Sequence, residues 1–133
     1  MSKIDDYAKF VDTTTSLESK RFLAFISSVS ELETQDNMNV PRVLTSAIGM
    51  LAESGEFTEI RKKIVFQGKE FNEAARFHMK RELGDILWYW VQGCIALNYS
   101  PDEVMDENIK KLEARYPNGF ETARSERRAE GDI

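Results

Sequence analysis

The sequence predicts an all-α protein, and three observations carry that prediction. Apolar residues recur at helical spacing along most of the 133 residues, only seven glycines and three prolines interrupt them, and no turn dipeptide separates alternating apolar runs as a β-hairpin requires. A composition 41% hydrophobic and 31% charged suits a single globular domain over 1–133 rather than a disordered or membrane-spanning chain. No run approaches the roughly 18–20 apolar residues of a membrane span, and "MSKIDDYAKF" lacks the apolar stretch of a secretory signal, so a cytoplasmic protein is expected.

Residues 1–40 form the less diagnostic segment, opening on a short amphipathic piece around Tyr7 to Val11. In "TSLE", Thr15 is the expected N-cap and Glu18 its capping-box partner. One helix then runs to about Glu33, with Phe22, Phe25, Ile26, Val29 and Leu32 as its apolar stripe. "TQDNMN" reads as a loop. Pro41 suits the first turn of the next helix, where its missing N–H has no partner in any case. Leu44, Ala47, Ile48 and Leu51 are the expected core stripe there, and at about 100° per residue Glu53 and Glu56 project away from it.

"FQGKEFNE", from Phe66 to Glu73, reads as a connection to the longest helix, from about Ala74 to Leu97. Its second half, "ILWYWVQGCIAL", is hydrophobic nearly all round and is expected to be buried in a bundle centre or against a second subunit. Cys94 within it reads as a small buried hydrophobe rather than a ligand or half of a disulfide. Ser100, Pro101 and Glu103 fit the N-cap, N1 and N3 positions of a further helix, which "YPNG" stops near Arg115. Residues 116–133 form a charged tail, whose end, "RSERRAEGDI", is expected to be extended.

The formal charge of −5 argues against a nucleic-acid polymer as partner, because phosphate-backbone binding normally shows a clustered basic face. A small phosphate remains compatible with an acidic protein if cations screen its carboxylates. "ESGEFTEIRKK" sets Glu53, Glu56 and Glu59 three apart, a spacing at which like charges repel by roughly a few tenths of a kcal/mol. On the long helix, His78, Glu82, Asp85 and Tyr89 recur at i, i+4, i+7 and i+11 and share one face. An ionisable stripe on an apolar helix is costly to bury unless it is paired or bound to cations. If the two helices pack antiparallel, Glu53, Glu56, Glu82 and Asp85 meet across one groove.

Such an all-oxygen set suits Mg²⁺, with Mn²⁺ as substitute, better than zinc. Asn108, Lys111 and Arg115 share a face of the following helix and suit a polyphosphate, with Lys62, Lys63 and Lys69 as weaker candidates. Taken singly these features read as ordinary surface: an isolated ExxE is a solvated stripe, Glu59 pairs with Lys62, His78 is a surface histidine, and Trp88, Tyr89 and Trp90 are core or interface. A di-iron carboxylate bundle requires Glu-x-x-His pairs, and Ala75 stands three residues before the only histidine, His78.

"LAESGEFTEI", "HMKRELGDILWY" and "DENIKKLEARYPNGF" resemble, in that order, the MazG-like all-α nucleoside triphosphate pyrophosphohydrolases, whose signature is an ExxE and an ExxD pair on neighbouring helices. The likeness runs from Leu44 to Asp132 and takes in the tail "RSERRAEGD". It implies a helical bundle that forms homodimers or homotetramers and cleaves a (deoxy)nucleoside triphosphate to the monophosphate and pyrophosphate with Mg²⁺. Carried over by position, Glu53, Glu56, Glu82 and Asp85 are the implied metal ligands, Glu53 and Glu56 the implied catalytic pair, and Asn108, Lys111 and Arg115 the implied substrate-side motif. Lys63, Arg124 and Arg128 are further implied phosphate contacts. Several members carry an extra glutamate just before the first of the pair, where this chain has Ala52, so the base falls to Glu53 or to a metal-bound hydroxide. The alternative that Ala52 keeps open is a non-catalytic helical module that binds a nucleotide or a protein partner.

Overall fold

The computed structural model describes residues 2–35 and 38–128. The expected loop at 34–39 and tail at 116–133 therefore fall partly outside the described residues. Every element among those residues is a helix, as predicted. The chain divides into two compact units, Met1–Val40 and Pro41–Ile133.

The first unit holds α1 (Lys3–Thr14), α2 (Leu17–Lys20) and α3 (Phe22–Gln35). Ser2 caps α1 in a capping box: its hydroxyl accepts from the Asp5 N–H at 3.3 Å, and its own N–H donates to the Asp5 carboxylate at 2.8 Å. The single helix expected from Thr15 to Glu33 is two helices. The Thr15 hydroxyl donates to the Val11 carbonyl at 2.6 Å, so it helps to close α1, and Ser16 is the residue whose hydroxyl caps α2. Arg21 is extended, yet its N–H donates to Leu17 and its carbonyl accepts from Phe25, so the break forfeits neither hydrogen bond. Phe22, Phe25, Ile26 and Leu32 of the expected stripe are exposed.

The second unit is built on α4 (Val40–Gln67), α5 (Glu73–Ala96), α6 (Pro101–Arg115) and the short α7 (Thr122–Glu126). Gly68 ends α4 at φ +65°, a left-handed conformation that glycine adopts without a Cβ penalty, and the Lys69 N–H turns back to the Lys63 carbonyl at 3.2 Å. Asn98 does the same for α5 at φ +60°. The Tyr99 N–H reaches the Cys94 carbonyl at 3.0 Å and the Asn98 N–H reaches Ile95 at 3.1 Å, the paired bonds of a Schellman cap. Ser100 opens α6 at once with the expected capping box to Glu103, so α5 and α6 are joined by a tight, fully bonded turn. Of the end expected to be extended, residues 124–126 instead fold into α7, where Arg124 donates to Glu121 at 3.2 Å.

The largest departure concerns the core. Leu44, Ile48 and Leu51 do not face α5; Ile48 is 67% and Leu51 77% exposed. The face of α4 that meets α5 carries small residues. Ser46, 2% exposed, donates its hydroxyl to the Tyr89 carbonyl at 2.8 Å and lies against Gly93, while Gly49 lies under the Tyr89 ring. Since Ser46 meets Gly93 and the later Gly49 meets the earlier Tyr89, the two helices run antiparallel. Cys94 and Ala96 are buried as expected, but Leu87 and Trp88 are more than half exposed, so the apolar half of α5 is covered on one side only. Among the described residues no helix is long and apolar enough to cross a membrane.

A Cβ on Gly93 would stand 2.6 Å from the Ser46 hydroxyl. Gly93→Ala is therefore expected to destabilise by about 1–3 kcal/mol, and Ser46→Ala in the same chain to recover part of that loss. Thermal and denaturant unfolding of the two single variants and the double variant measure the coupling. Simple additivity contradicts the close approach.

Candidate functional site

The seam between α4 and α5 continues into an acidic cluster. Glu53 follows Gly49 by one turn on the inner face of α4, and Asp85 and Glu82 precede Tyr89 by one and two turns on α5. Because the helices are antiparallel, these three meet. One carboxylate oxygen from each lies within 4.8 Å of the other two, with Glu53 and Glu82 half-buried and Asp85 exposed.

The electrostatics follow from that crowding. Partial loss of solvent, then the negative charges of Glu56, Asp85 and Glu82, hold the Glu53 carboxyl above its ordinary value of 4.5. A hydrogen bond with the Glu82 side chain acts in the same direction, because two carboxyls that share a proton favour the protonated form. The charges of Glu56, Asp85 and Glu82 on Glu53 are all negative, the situation that a cation relieves.

The donor set fits a hard divalent ion. Oxygens around one six-coordinate Mg²⁺ at roughly 2.0–2.1 Å stand about 3–4 Å apart, so a set within 4.8 Å is near the spacing such an ion requires. The group contains carboxylates and no imidazole or thiolate, which favours Mg²⁺ or Mn²⁺ over zinc. Glu53, Glu82 and Asp85 could hold such an ion.

Three of the four expected ligands therefore converge. Glu56 is exposed and outside the trio, although its charge reaches Glu53. Glu59, of the same acidic row, forms ion pairs with Lys62 and, at 3.5 Å, with Lys63, and these hold its carboxyl below the ordinary value. His78 is exposed, makes an edge contact with Phe77 and is not a member of the acidic trio.

The expected substrate-side residues are only partly gathered. Asn108 and Lys111 line a cleft along α6 together with Trp90, Tyr99 and Glu103, and none of the four carboxylates lines it. Arg115, at the end of α6, lies over the Tyr116 ring at 5.9 Å. Arg124 is engaged with Glu121, and Arg128 is exposed. Sequence reasoning missed Ser46 and Gly49, which decide how near the carboxylates come. The legible signal was their spacing from Glu53: small residues at i and i+3 and the glutamate at i+7 on one helix face.

Comparison of the chain with curated proteins and with solved structures returns no match. The family model of the MazG nucleotide pyrophosphohydrolase domain matches residues 42–120, more than half of the chain, a stretch that contains α5, α6 and the whole acidic cluster. With every element among the described residues a helix and Glu53 of α4 meeting the Glu82/Asp85 pair of α5, the chain belongs to the MazG nucleotide pyrophosphohydrolase domain family.

Proposed function

We propose that the chain hydrolyses a (deoxy)nucleoside triphosphate to the monophosphate and pyrophosphate, using Mg²⁺, or Mn²⁺ in its place, held by Glu53, Glu82 and Asp85 with Glu56 alongside. The observation that carries this reading is the convergence of three carboxylates, with the negative charges of Glu56, Glu82 and Asp85 acting on Glu53. A bound divalent ion supplies positive charge against the triphosphate and lowers the pKa of a coordinated water. Glu53 takes the proton from the attacking water. The water oxygen bonds to the α-phosphorus as the bridging oxygen to the β-phosphorus departs with pyrophosphate. Asn108, Lys111 and Arg115 hold the phosphate chain, the arginine as a fork and the lysine as a point charge. Lys63 and Arg124 exchange their glutamate partners for phosphate, a small change because an exposed ion pair is worth about 0–1 kcal/mol.

The proposal extends to assembly and place: a cytoplasmic homodimer or homotetramer acting on free nucleotides, not on a nucleic-acid polymer or a membrane. The uncovered stripe of Leu44, Ile48 and Leu51 supports self-association. Among the described residues the buried apolar side chains are only Val40, Cys94 and Ala96, too few to stabilise a chain of this length alone. A surface that must always be covered is most simply covered by another copy.

Incubation with Mg²⁺ and a panel of (d)NTPs is expected to yield monophosphate and pyrophosphate; release of orthophosphate, or no release, contradicts the proposal. Asp85→Asn and Glu56→Gln should each lower turnover by at least about 100-fold, the scale of a lost transition-state charge contact, with the circular dichroism of a helical protein retained. Without metal, the raised Glu53 carboxyl favours folding below 4.5 and loses that contribution as pH rises through its folded-state value. Glu53→Gln should therefore gain stability relative to wild type over that rise in metal-free buffer, and the gain should vanish in saturating Mg²⁺. Parallel melting curves against pH for the two proteins would show that Glu53 does not feel the cluster. Light scattering behind size exclusion should find a dimer or tetramer for the wild type, and Leu51→Glu should break it into monomers or unfold it; a folded wild-type monomer excludes the assembly.

A further inference from the structure

We infer that Tyr89, laid on the bare backbone of Gly49, is the positioning residue that sets the separation of Glu53, Glu82 and Asp85, and thereby the size of cation they accept. The inference rests on the metal assignment above and goes beyond it to what determines the dimensions of the site.

A Cβ built on Gly49 would meet Cδ1 and Cε1 of Tyr89 at 2.2 Å each and Cγ at 2.5 Å. The ring therefore occupies the space that any other residue would need at position 49. Ordinary contact begins near 3.4 Å, so α4 and the ring would have to part by about 1 Å to admit one methyl group. Two further features hold Tyr89 where it is. Its carbonyl accepts from the buried Ser46 hydroxyl at 2.8 Å, and its ring is braced edge-on by Trp88, with centroids 4.9 Å apart and planes at 88°.

The contact lies one helical turn from the acidic cluster on both helices, Gly49 before Glu53 and Asp85 before Tyr89. Helices are stiff over a single turn, so a change in separation at Gly49 passes to the carboxylates nearly undiminished. It also opposes a force. Three mutually repelling carboxylates within 4.8 Å tend to spread the helices, and the flat ring on glycine backbone holds them together with packing that no charge weakens. The scale decides the consequence. Mg²⁺ requires oxygens at about 2.0–2.1 Å in near-ideal octahedral array, whereas Ca²⁺ accepts roughly 2.3–2.6 Å in looser geometry. A shift of about 1 Å between the walls of the site exceeds the difference between these ions, so a wedge at position 49 should alter which ion is preferred as well as how tightly it binds.

The test is isothermal titration of the full chain with Mg²⁺ and, separately, with Ca²⁺, comparing wild type, Gly49→Ala, Tyr89→Phe and Tyr89→Leu, with far-UV circular dichroism and melting in chelator as controls for folding. Tyr89→Phe keeps the ring and should match wild type for both ions. Gly49→Ala and Tyr89→Leu should weaken Mg²⁺ at least about tenfold while changing Ca²⁺ by less than about threefold, moving the ratio of affinities toward the larger ion. A merely structural role for Tyr89 would lower stability in chelator and leave that ratio alone. The inference is overturned if either folded variant keeps the wild-type ratio, or if both ions weaken in equal proportion. Should Gly49→Ala fail to fold, Tyr89→Leu against Tyr89→Phe decides alone. A wild-type protein that binds neither ion overturns the metal assignment itself, and with it this inference, an outcome distinct from unaltered selectivity in a chain that does bind.

Discussion

The close approach of α4 to α5 is the constraint on which the rest of this chain depends. Helices pack at separations set by the side chains between them, commonly about 8–10 Å. Here the side chains between them include a serine, two glycines and one flat ring. That choice gives up apolar burial, and its return is geometric: it brings carboxylates from two helices within a few ångströms. A seam of leucines would be better buried and would set the two helices further apart.

This arrangement divides α4 into two faces with different tasks. The small-residue and acidic face is turned to α5, while Leu44, Ile48 and Leu51 are left uncovered. The trade-off is legible in energies: apolar burial contributes about 25 cal/mol per Å², whereas a cluster of like charges opposes folding until something positive joins it. On the proposed reading, the apolar face is satisfied by a second copy and the acidic face by a cation. Folding, assembly and metal binding would then be linked, because each stabilises the same pair of helices.

The α6 cleft stands apart from this seam. Asn108 and Lys111 line it with Trp90 and Tyr99, and the tight Schellman and capping-box turn at 97–103 holds the start of α6 rigidly against the end of α5. On the proposed reading, this turn fixes Asn108 and Lys111 of α6 relative to Glu82 and Asp85 of α5.

Much of this was readable from the residues. Local rules act within a turn or two of chain, so the boundaries of α5 and α6, the Ser100 cap, the buried Cys94 and the shared face of Glu82 and Asp85 all follow from spacing and capping chemistry. The acidic spacing also pointed to a meeting of the two motifs, of which the structure brings together Glu53, Glu82 and Asp85. What periodicity misjudged was direction: it took the apolar stripe of α4 as the inner face, because burial of leucine is the default driving force, and it made one helix of α2 and α3 because Arg21 bears no local mark of a break. Only the tertiary structure decided which face of α4 meets α5, that Glu56 stands outside the trio, and that Gly49 lies beneath Tyr89. Those depend on which surfaces meet across some thirty to forty residues of sequence, and pattern within one helix carries no information about the partner it meets.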